Sequence, residues 1–373
     1  MFKEQKTHHR IVRHLIFLLS TTFCQISFGD IKHKTSVDFL ADISTIDGTL
    51  FDDRMRTKLY LRRLRIKHSS KFDDNIRTKI SVDFNQLNDE ITFKDVNMSY
   101  KFNKHITLEL GKFKEPFGME KNQGLSNAIF LERSVATNAF TFGRKTGIKA
   151  ITKGNIWKAE AAVMRQKSED SDFKDSVPFA LRASITPWQN TKDAVFFHTG
   201  FSYSNHPAVD DKYDINEPLI APIFENTFHS PNYLQSDVET YGIELAAGYN
   251  KLLFQSEIYN QSVSEIFDSQ FKQSGYYTTL SYPLLGNARA FKHGKLKFTE
   301  SQTLELGIRI SGVDTQNFGE GDNSIVYTLI VNYFKSNLRL SAEYSYAKTN
   351  RLEESIQEDL IGQALTVRIQ ASY

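Results

Sequence analysis

Beyond residue 30 the chain alternates between apolar and polar positions, most plainly near its C-terminus. Leu338, Leu340, Ala342, Tyr344 and Tyr346 interleave there with Arg339, Ser341, Glu343 and Ser345. Successive side chains of a strand point to opposite faces, so this period predicts a strand with one apolar and one polar face. The last segment repeats it: Leu365, Val367, Ile369, Ala371 and Tyr373 take one phase, and Thr366, Arg368, Gln370 and Ser372 the other. Leu304, Leu306, Ile308 and Ile310 alternate with Glu305 and Arg309, and Ile76, Thr78, Ile80, Val82 and Phe84 with Arg77, Lys79, Ser81 and Asp83. Runs of about ten residues are longer than ordinary sheet strands and match strands that cross a bilayer at a tilt.

Applied along the whole chain, the pattern predicts sixteen strands, at 34–46, 56–68, 75–86, 91–102, 106–114, 142–152, 156–166, 177–187, 194–204, 238–249, 252–262, 273–283, 303–313, 325–334, 338–348 and 363–373. Their connections alternate in length. Segments 103–105, 153–155, 250–251 and 335–337 are tight turns, whereas 115–141, 205–237 and 349–362 are long and polar. Short periplasmic turns and long outer loops are the rhythm of a transmembrane antiparallel β-barrel, the all-β fold expected here. The stretch 284–302 departs from it, being long on the short-turn side.

Residues 1–29 read as a signal peptide. Lys3, Lys6, Arg10 and Arg13 form a basic start, Leu15 to Phe28 is mostly apolar, and Ser27-Phe28-Gly29 offers a small-x-small cleavage site. The remaining 30–373 form one barrel domain, with 42 basic against 43 acidic residues and no cysteine, since Cys24 falls in the leader. An exported chain without cysteine relies on backbone pairing and burial rather than disulfides or thiolate metal sites. A balanced charge gives no support for nucleic-acid binding. Aromatics at 13% alongside charged residues at 24% fit a wall that shows lipid only at every second position.

The polar phase places Arg63, Arg65, Lys67, Arg77, Lys79, Lys149, Lys158, Arg182, Arg309, Arg339 and Arg368 inside, against Asp83, Asp95, Glu109, Glu160, Glu244, Glu257, Glu305 and Glu343. A basic excess in a narrow lumen attracts anions, because low-dielectric walls limit screening. The alternative is that these groups pair across strands and keep the lumen wet. The segment 114–134, KEPFGMEKNQGLSNAIFLERS, is too long for a hairpin and mixes Lys114, Glu115, Glu120, Lys121, Glu132 and Arg133 with apolar residues. It reads as a loop folded inward to narrow the pore. The acidic segment 166–176 reads as solvated surface in preference to a divalent-cation site.

Residues 106–149 resemble the phosphate-selective porin O and P family, trimeric 16-stranded outer-membrane barrels. LELGKFKEPFGMEK followed by FLERSVATNAFTFGRKTGIKA is similar to that family's fifth strand, constriction loop and sixth strand. YLRRLRIK at 60–67, SGYYTTLSYPLLG at 274–286 and YTLIVNYFKSNLRLSAEYSYAKTN at 327–350 extend the likeness. The resemblance implies a passive channel for small anions, phosphate or polyphosphate among them, or else a general porin. Its constriction would use Arg62 and Arg63, Asp95 as the acid holding the arginines, and Lys121; Arg133, a charge of the inward loop itself, completes the candidate site. Asn122, Gln123 and Gly124 stand where phosphate-specific members carry hydroxyl residues, which argues against tight phosphate selectivity.

Arg62 and Arg63 are consecutive, so on a regular strand they face opposite ways; either a bulge re-aims one, or one has no part in the site. Expected partners are small anionic solutes, outer-membrane lipid and lipopolysaccharide, and, from the resemblance, two further copies of the chain in a homotrimer. No catalytic cofactor or metal is implied, since no Gly-rich phosphate loop, dinucleotide fingerprint or zinc spacing occurs. A barrel enzyme would need a Ser-His-acid group, for which only His198, His206, His229 and Ser230 offer material. A secreted strand-built adhesin would leave the loop rhythm and the terminal phase unexplained.

Overall fold

A computed structural model of the protein describes residues 31–86, 90–165, 177–190, 195–207, 212–224, 227–234, 237–265, 270–292, 294–297 and 302–373. The leader reading of 1–29 and the acidic segment 166–176 lie outside them. Sixteen antiparallel strands close into a barrel, each paired to its neighbours in chain order. They are β1 (Lys32–Asp47), β2 (Arg56–Lys71), β3 (Ile76–Asn85), β4 (Glu90–Lys101), β5 (Ile106–Lys114), β6 (Arg144–Lys153), β7 (Trp157–Arg165), β8 (Phe179–Asn190), β9 (Val195–His206), β10 (Asp237–Tyr249), β11 (Leu252–Ser264), β12 (Gln270–Leu285), β13 (Thr303–Asp314), β14 (Gly321–Lys335), β15 (Leu338–Glu353) and β16 (Ile356–Ser372). Closure is made by β1 against β16, from Asp38↔Ser372 to Asp47↔Gln363.

The alternation read from the sequence sorts inside from outside. Leu340, Leu365 and Ile369 are half exposed on the outer face, whereas Arg339, Ser341, Thr366 and Arg368 are buried in the lumen. Two strand prolines sit where the ladder breaks register, Pro187 in β8 and Pro283 in β12, positions that tolerate a residue with no N–H to donate.

One connection is corrected. Residues 349–362 do not form a long loop: β15 and β16 run on as a hairpin, paired from Asn350↔Asp359 to Glu353↔Ile356. Only Glu354 and Ser355 turn, both at positive φ (48° and 66°), as a two-residue primed turn requires. These strands have 16 and 17 residues, more than a bilayer crossing needs, so their outer ends stand in water and carry polar residues on both faces. That erases the alternation there.

Apolar burial lies inside the barrel, where three connections meet. The first, 115–143, contains the short helices α1 (Met119–Asn122) and α2 (Val135–Phe140); Ser134 caps α2, its Oγ accepting from the Thr137 N–H at 3.1 Å. The second, within 212–234, packs Ile215, Leu219, Ile220, Phe224 and Phe228 against α2 and Phe51. The third is the short-turn segment that broke the expected rhythm. It forms a hairpin, Ala290–Lys292 with Lys295–Lys297, whose Phe291 and Leu296 join Met119, Ile129, Phe130 and Leu131 in one cluster. Phe291 stacks on Phe196 of the wall, centroids 4.2 Å apart.

Candidate constriction site

Two β-bulges shape the inner surface. Between β1 and β2 the register passes from Leu40↔Arg63 to Ala41↔Leu61, leaving Arg62 as the extra residue. Arg62 and Arg63 thus both turn inward, which resolves the parity conflict seen in the sequence. Between β3 and β4 it passes from Ile80↔Val96 to Val82↔Phe93. Phe93 and Val96 face outward, and Lys94 and Asp95 together face the lumen.

The wall holds the 115–143 segment by its backbone. Arg368 Nη1 donates to the Leu131 carbonyl (2.6 Å) and Arg309 Nη1 to that of Glu132 (2.9 Å). Arg339 donates to the carbonyls of Ala128 and Ile129 (2.9 and 2.6 Å) and Arg289 to that of Asn127 (2.8 Å). Gln370 donates to that of Ser126 (3.0 Å). Carboxylates take the N–H groups: Glu257 accepts from Met119 and Glu120 (2.6 and 2.7 Å) as well as from the Tyr277 hydroxyl, and Glu343 accepts from Leu131 (2.9 Å). Charge-assisted bonds to backbone are strong and directional, so the loop is fixed along much of its length. Three wall arginines, Arg309, Arg339 and Arg368, and Arg289 of the inner connection take part in that task; Arg289, Arg309 and Arg368 are also paired with carboxylates, so the lumen's apparent basic excess overstates what a solute meets.

Other cations are neutralised. Arg62 grips Glu132 with Nε and Nη2 (2.7 and 2.8 Å), and Arg368 bridges Glu132 (2.8 Å) and Asp42 (2.6 and 2.7 Å). Burial alone would raise the Glu132 carboxyl, but Arg62 and Arg368 pull it far below the usual range. Arg65 pairs with Asp83. Asp95 holds Arg144 (2.7 Å) and Lys79 (2.8 Å); the acids that hold the β2 arginines are Asp83 and Glu132, not Asp95.

Among the described residues, the inward cations Lys94, Lys114, Lys121, Arg133 and Lys295 have no carboxylate within 4.0 Å. Lys114 Nζ donates to the carbonyls of Lys121 and Gln123 (2.9 and 3.1 Å), and Lys121 Nζ to that of Thr141 (3.0 Å). Arg133 reaches the carbonyls of Glu120, Lys121 and Gln123 through longer bonds of 3.2–3.5 Å. Carbonyl dipoles orient these groups without cancelling their charge. Burial, and then the neighbouring Arg133, lower the Lys121 ammonium to about 7. Arg63 belongs with this set: its Nε has no hydrogen bond, and its ion pair to Asp83 is long at 3.5 Å.

Arg62, Arg63 and Arg133 open onto one cavity of about 280 Å³, with Glu132 and Arg309 beside them. Lys121 and Asp95 are outside its lining, so three of the five residues singled out from the sequence are brought together. Lys94 leaves no periodic mark in the sequence because it sits at a bulge. Lys295 was hidden in the anomalous 284–302 stretch, whose length was its signal.

The residues weighed for a hydrolase are occupied otherwise. Ser230 Oγ accepts from Ile215 N–H and donates to the Pro231 carbonyl, while His198 and His206 are buried against Glu244 and Glu115. Among the described residues no three His, Cys, Asp or Glu side chains are grouped to hold a metal.

A closed sixteen-stranded barrel with a lumen narrowed by an anchored inner loop is the architecture of an outer-membrane porin. The chain belongs to the phosphate-selective porin O and P family, whose model matches residues 34–373. Porin O of Pseudomonas aeruginosa is 22% identical over 379 residues, spanning 88% of this chain and 86% of that one. Among solved structures, an anion-selective porin from Comamonas acidovorans superposes with a TM-score of 0.64 at 9% identity, over 92% of this chain and 100% of that one. The channel DcaP of Acinetobacter baumannii gives 0.59 at 12%, over 93% and 99%. OmpT of Vibrio cholerae in its trimer form gives 0.59 at 11%, over 92% and 99%. The protein is therefore an outer-membrane porin, a channel.

Proposed function

We propose that this pore passes small anions by charge attraction, phosphate among them, without a dedicated phosphate-binding pocket. The observation that carries the reading is the group of inward cations with no carboxylate partner around the inner loop, while most other lumen cations are paired with carboxylates. Where water is restricted, such charges act with little screening.

The amides standing where phosphate-specific relatives have hydroxyls are used internally. Asn122 donates to the carbonyls of Phe117 and Gly118, and Gln123 to those of Asn127 and Leu296. They offer a solute no free donor, which supports preference for charge over phosphate shape.

We further propose a homotrimer, supported by the trimer form of the Vibrio cholerae relative. Solutes enter from outside a membrane of lipid and lipopolysaccharide, and residues 1–29 serve as the leader for export.

Reversal potentials in a potassium chloride gradient test the main reading. The wild-type pore should favour chloride, and Lys121→Gln with Arg133→Gln should weaken that preference. An unchanged potential would place the filter elsewhere.

A further inference from the structure

The cavity at the constriction holds an acid that the passage of anions does not use. Four carboxylate residues line it, and three are engaged: Asp42 by Arg368, Glu132 by Arg62 and Arg368, and Glu343 by the Leu131 N–H. Glu217 is not. Among the described residues its carboxylate has no hydrogen bond and no ion pair, and Lys121, outside the lining, acts on it only through space. Its place is fixed, because Asn216–Pro218 pairs with Thr227–His229, and Phe228, opposite Glu217 in that pair, is fully buried in the inner cluster. An uncompensated acid in a basic constriction repels the solutes that the rest of the pore attracts. It is matched only by a solute that brings a positive charge of its own.

Other groups of the same cavity are unpaired too. Arg63 Nε and the hydroxyls of Ser311 and Thr328 are buried without a hydrogen bond, the two hydroxyl residues being 1% and 2% exposed. The side-chain amide of Asn138, on α2, has none among the described residues. Arg133 is held only by carbonyls. Val135, Leu219 and Val326 add an apolar part to the lining.

We infer that this cavity binds a small zwitterion, an amino acid with an apolar side chain, its carboxylate on Arg63 and Arg133, its ammonium on Glu217 and its side chain against Val135, Leu219 and Val326. A cavity of about 150 Å³ takes a benzene molecule, so 280 Å³ has room for such a solute but not for an extended peptide. The site rests on the same free cations as the anion path and adds one acid to them. A simple anion meets attraction and repulsion there, whereas a zwitterion meets two attractions.

The test uses the whole protein in a planar bilayer and reads block of the single-channel chloride current by L-leucine and by 4-methylpentanoate, which keeps the carboxylate and carbon skeleton and lacks the amine. In wild type, leucine should half-block at about tenfold lower concentration, the worth of one charge-assisted hydrogen bond. Glu217→Gln should abolish that advantage, and Arg63→Gln should weaken block by both compounds. Equal block by the two compounds in wild type would overturn the zwitterion site, as would a leucine advantage that persists in Glu217→Gln. Reversal potentials taken on the same channels in a potassium chloride gradient keep the two readings apart. Chloride preference without a leucine advantage removes this site and leaves the anion path standing.

Discussion

Arg62 and Arg63, consecutive on β2, point into the same lumen yet do different work: Arg62 is clamped on Glu132 at 2.7 and 2.8 Å, and Arg63 keeps its Nε free of hydrogen bonds. Arg63→Gln should therefore lower anion preference with little effect on stability. Arg62→Gln leaves Glu132 with Arg368 alone, and should cost stability towards the low end of the roughly 3–5 kcal/mol typical of a broken buried pair. Reversal potentials and the temperature of heat-modified gel migration separate the two effects. Equal effects of both variants on both measurements would refute the division.

Charge reversal should act more strongly. Arg63→Glu with Lys121→Glu should move the preference from anions towards cations, most at low salt, where screening is weakest. Lys251→Glu with Lys335→Glu changes net charge equally, but at short turns outside the narrow zone, and should leave the reversal potential near that of wild type.

Selectivity should also depend on pH. With Lys121 held to about 7, its ammonium is charged below that pH and neutral above it. Anion preference should fall as pH rises from about 6 to 8, and Lys121→Met should flatten that part of the profile. A wild-type profile that is already flat would refute a role for Lys121.

Arg339 serves the loop rather than the solute, through the carbonyls of Ala128 and Ile129. Arg339→Ala leaves those acceptors unbonded in a dry site, each at about 1–3 kcal/mol. Single-channel records should show larger and noisier conductance, and protease added to the outer face should cut within 125–132 sooner than in wild type. Unaltered conductance and cleavage would mean that the remaining anchors suffice.

The outward phase predicts the membrane-facing wall. Leu329→Phe should assemble normally, whereas Leu329→Arg, midway along the outward face of β14, should cost about 2–4 kcal/mol as for a site near the bilayer midplane, read as loss of the heat-modifiable band.

The number of strands and their facing were legible because lipid outside and water inside impose period two wherever a strand crosses the bilayer. Where Asp359 and Glu353 stand in water above it, both faces are polar, and the turn at Glu354-Ser355 could not be recognised without the usual Asn-Gly chemistry. Arg62 and Arg63 are legible through resemblance, and Arg133 through the mixed charge of its loop. Which arginines meet a solute was not legible, since Arg63 and Arg339 look alike in sequence and differ only in what lies within 3 Å of each. The bulge at Lys94 and Asp95 is likewise a property of pairing between strands, invisible along one.

The seam between β1 and β16 carries a lesson about biogenesis. Val37 and Tyr373 exchange both backbone hydrogen bonds (2.8 and 2.9 Å), and Arg368 fastens Asp42 across the same joint. Partners more than three hundred residues apart thus meet at the final act of closure, when the last-made segment finds the first. Until then β1 and β15 are raw sheet edges, with hydrogen-bonding groups that lipid cannot satisfy. A chain cut before β16 would have no smaller barrel ready to receive it, and the outer membrane would be offered either the finished ring or an intermediate fit for degradation.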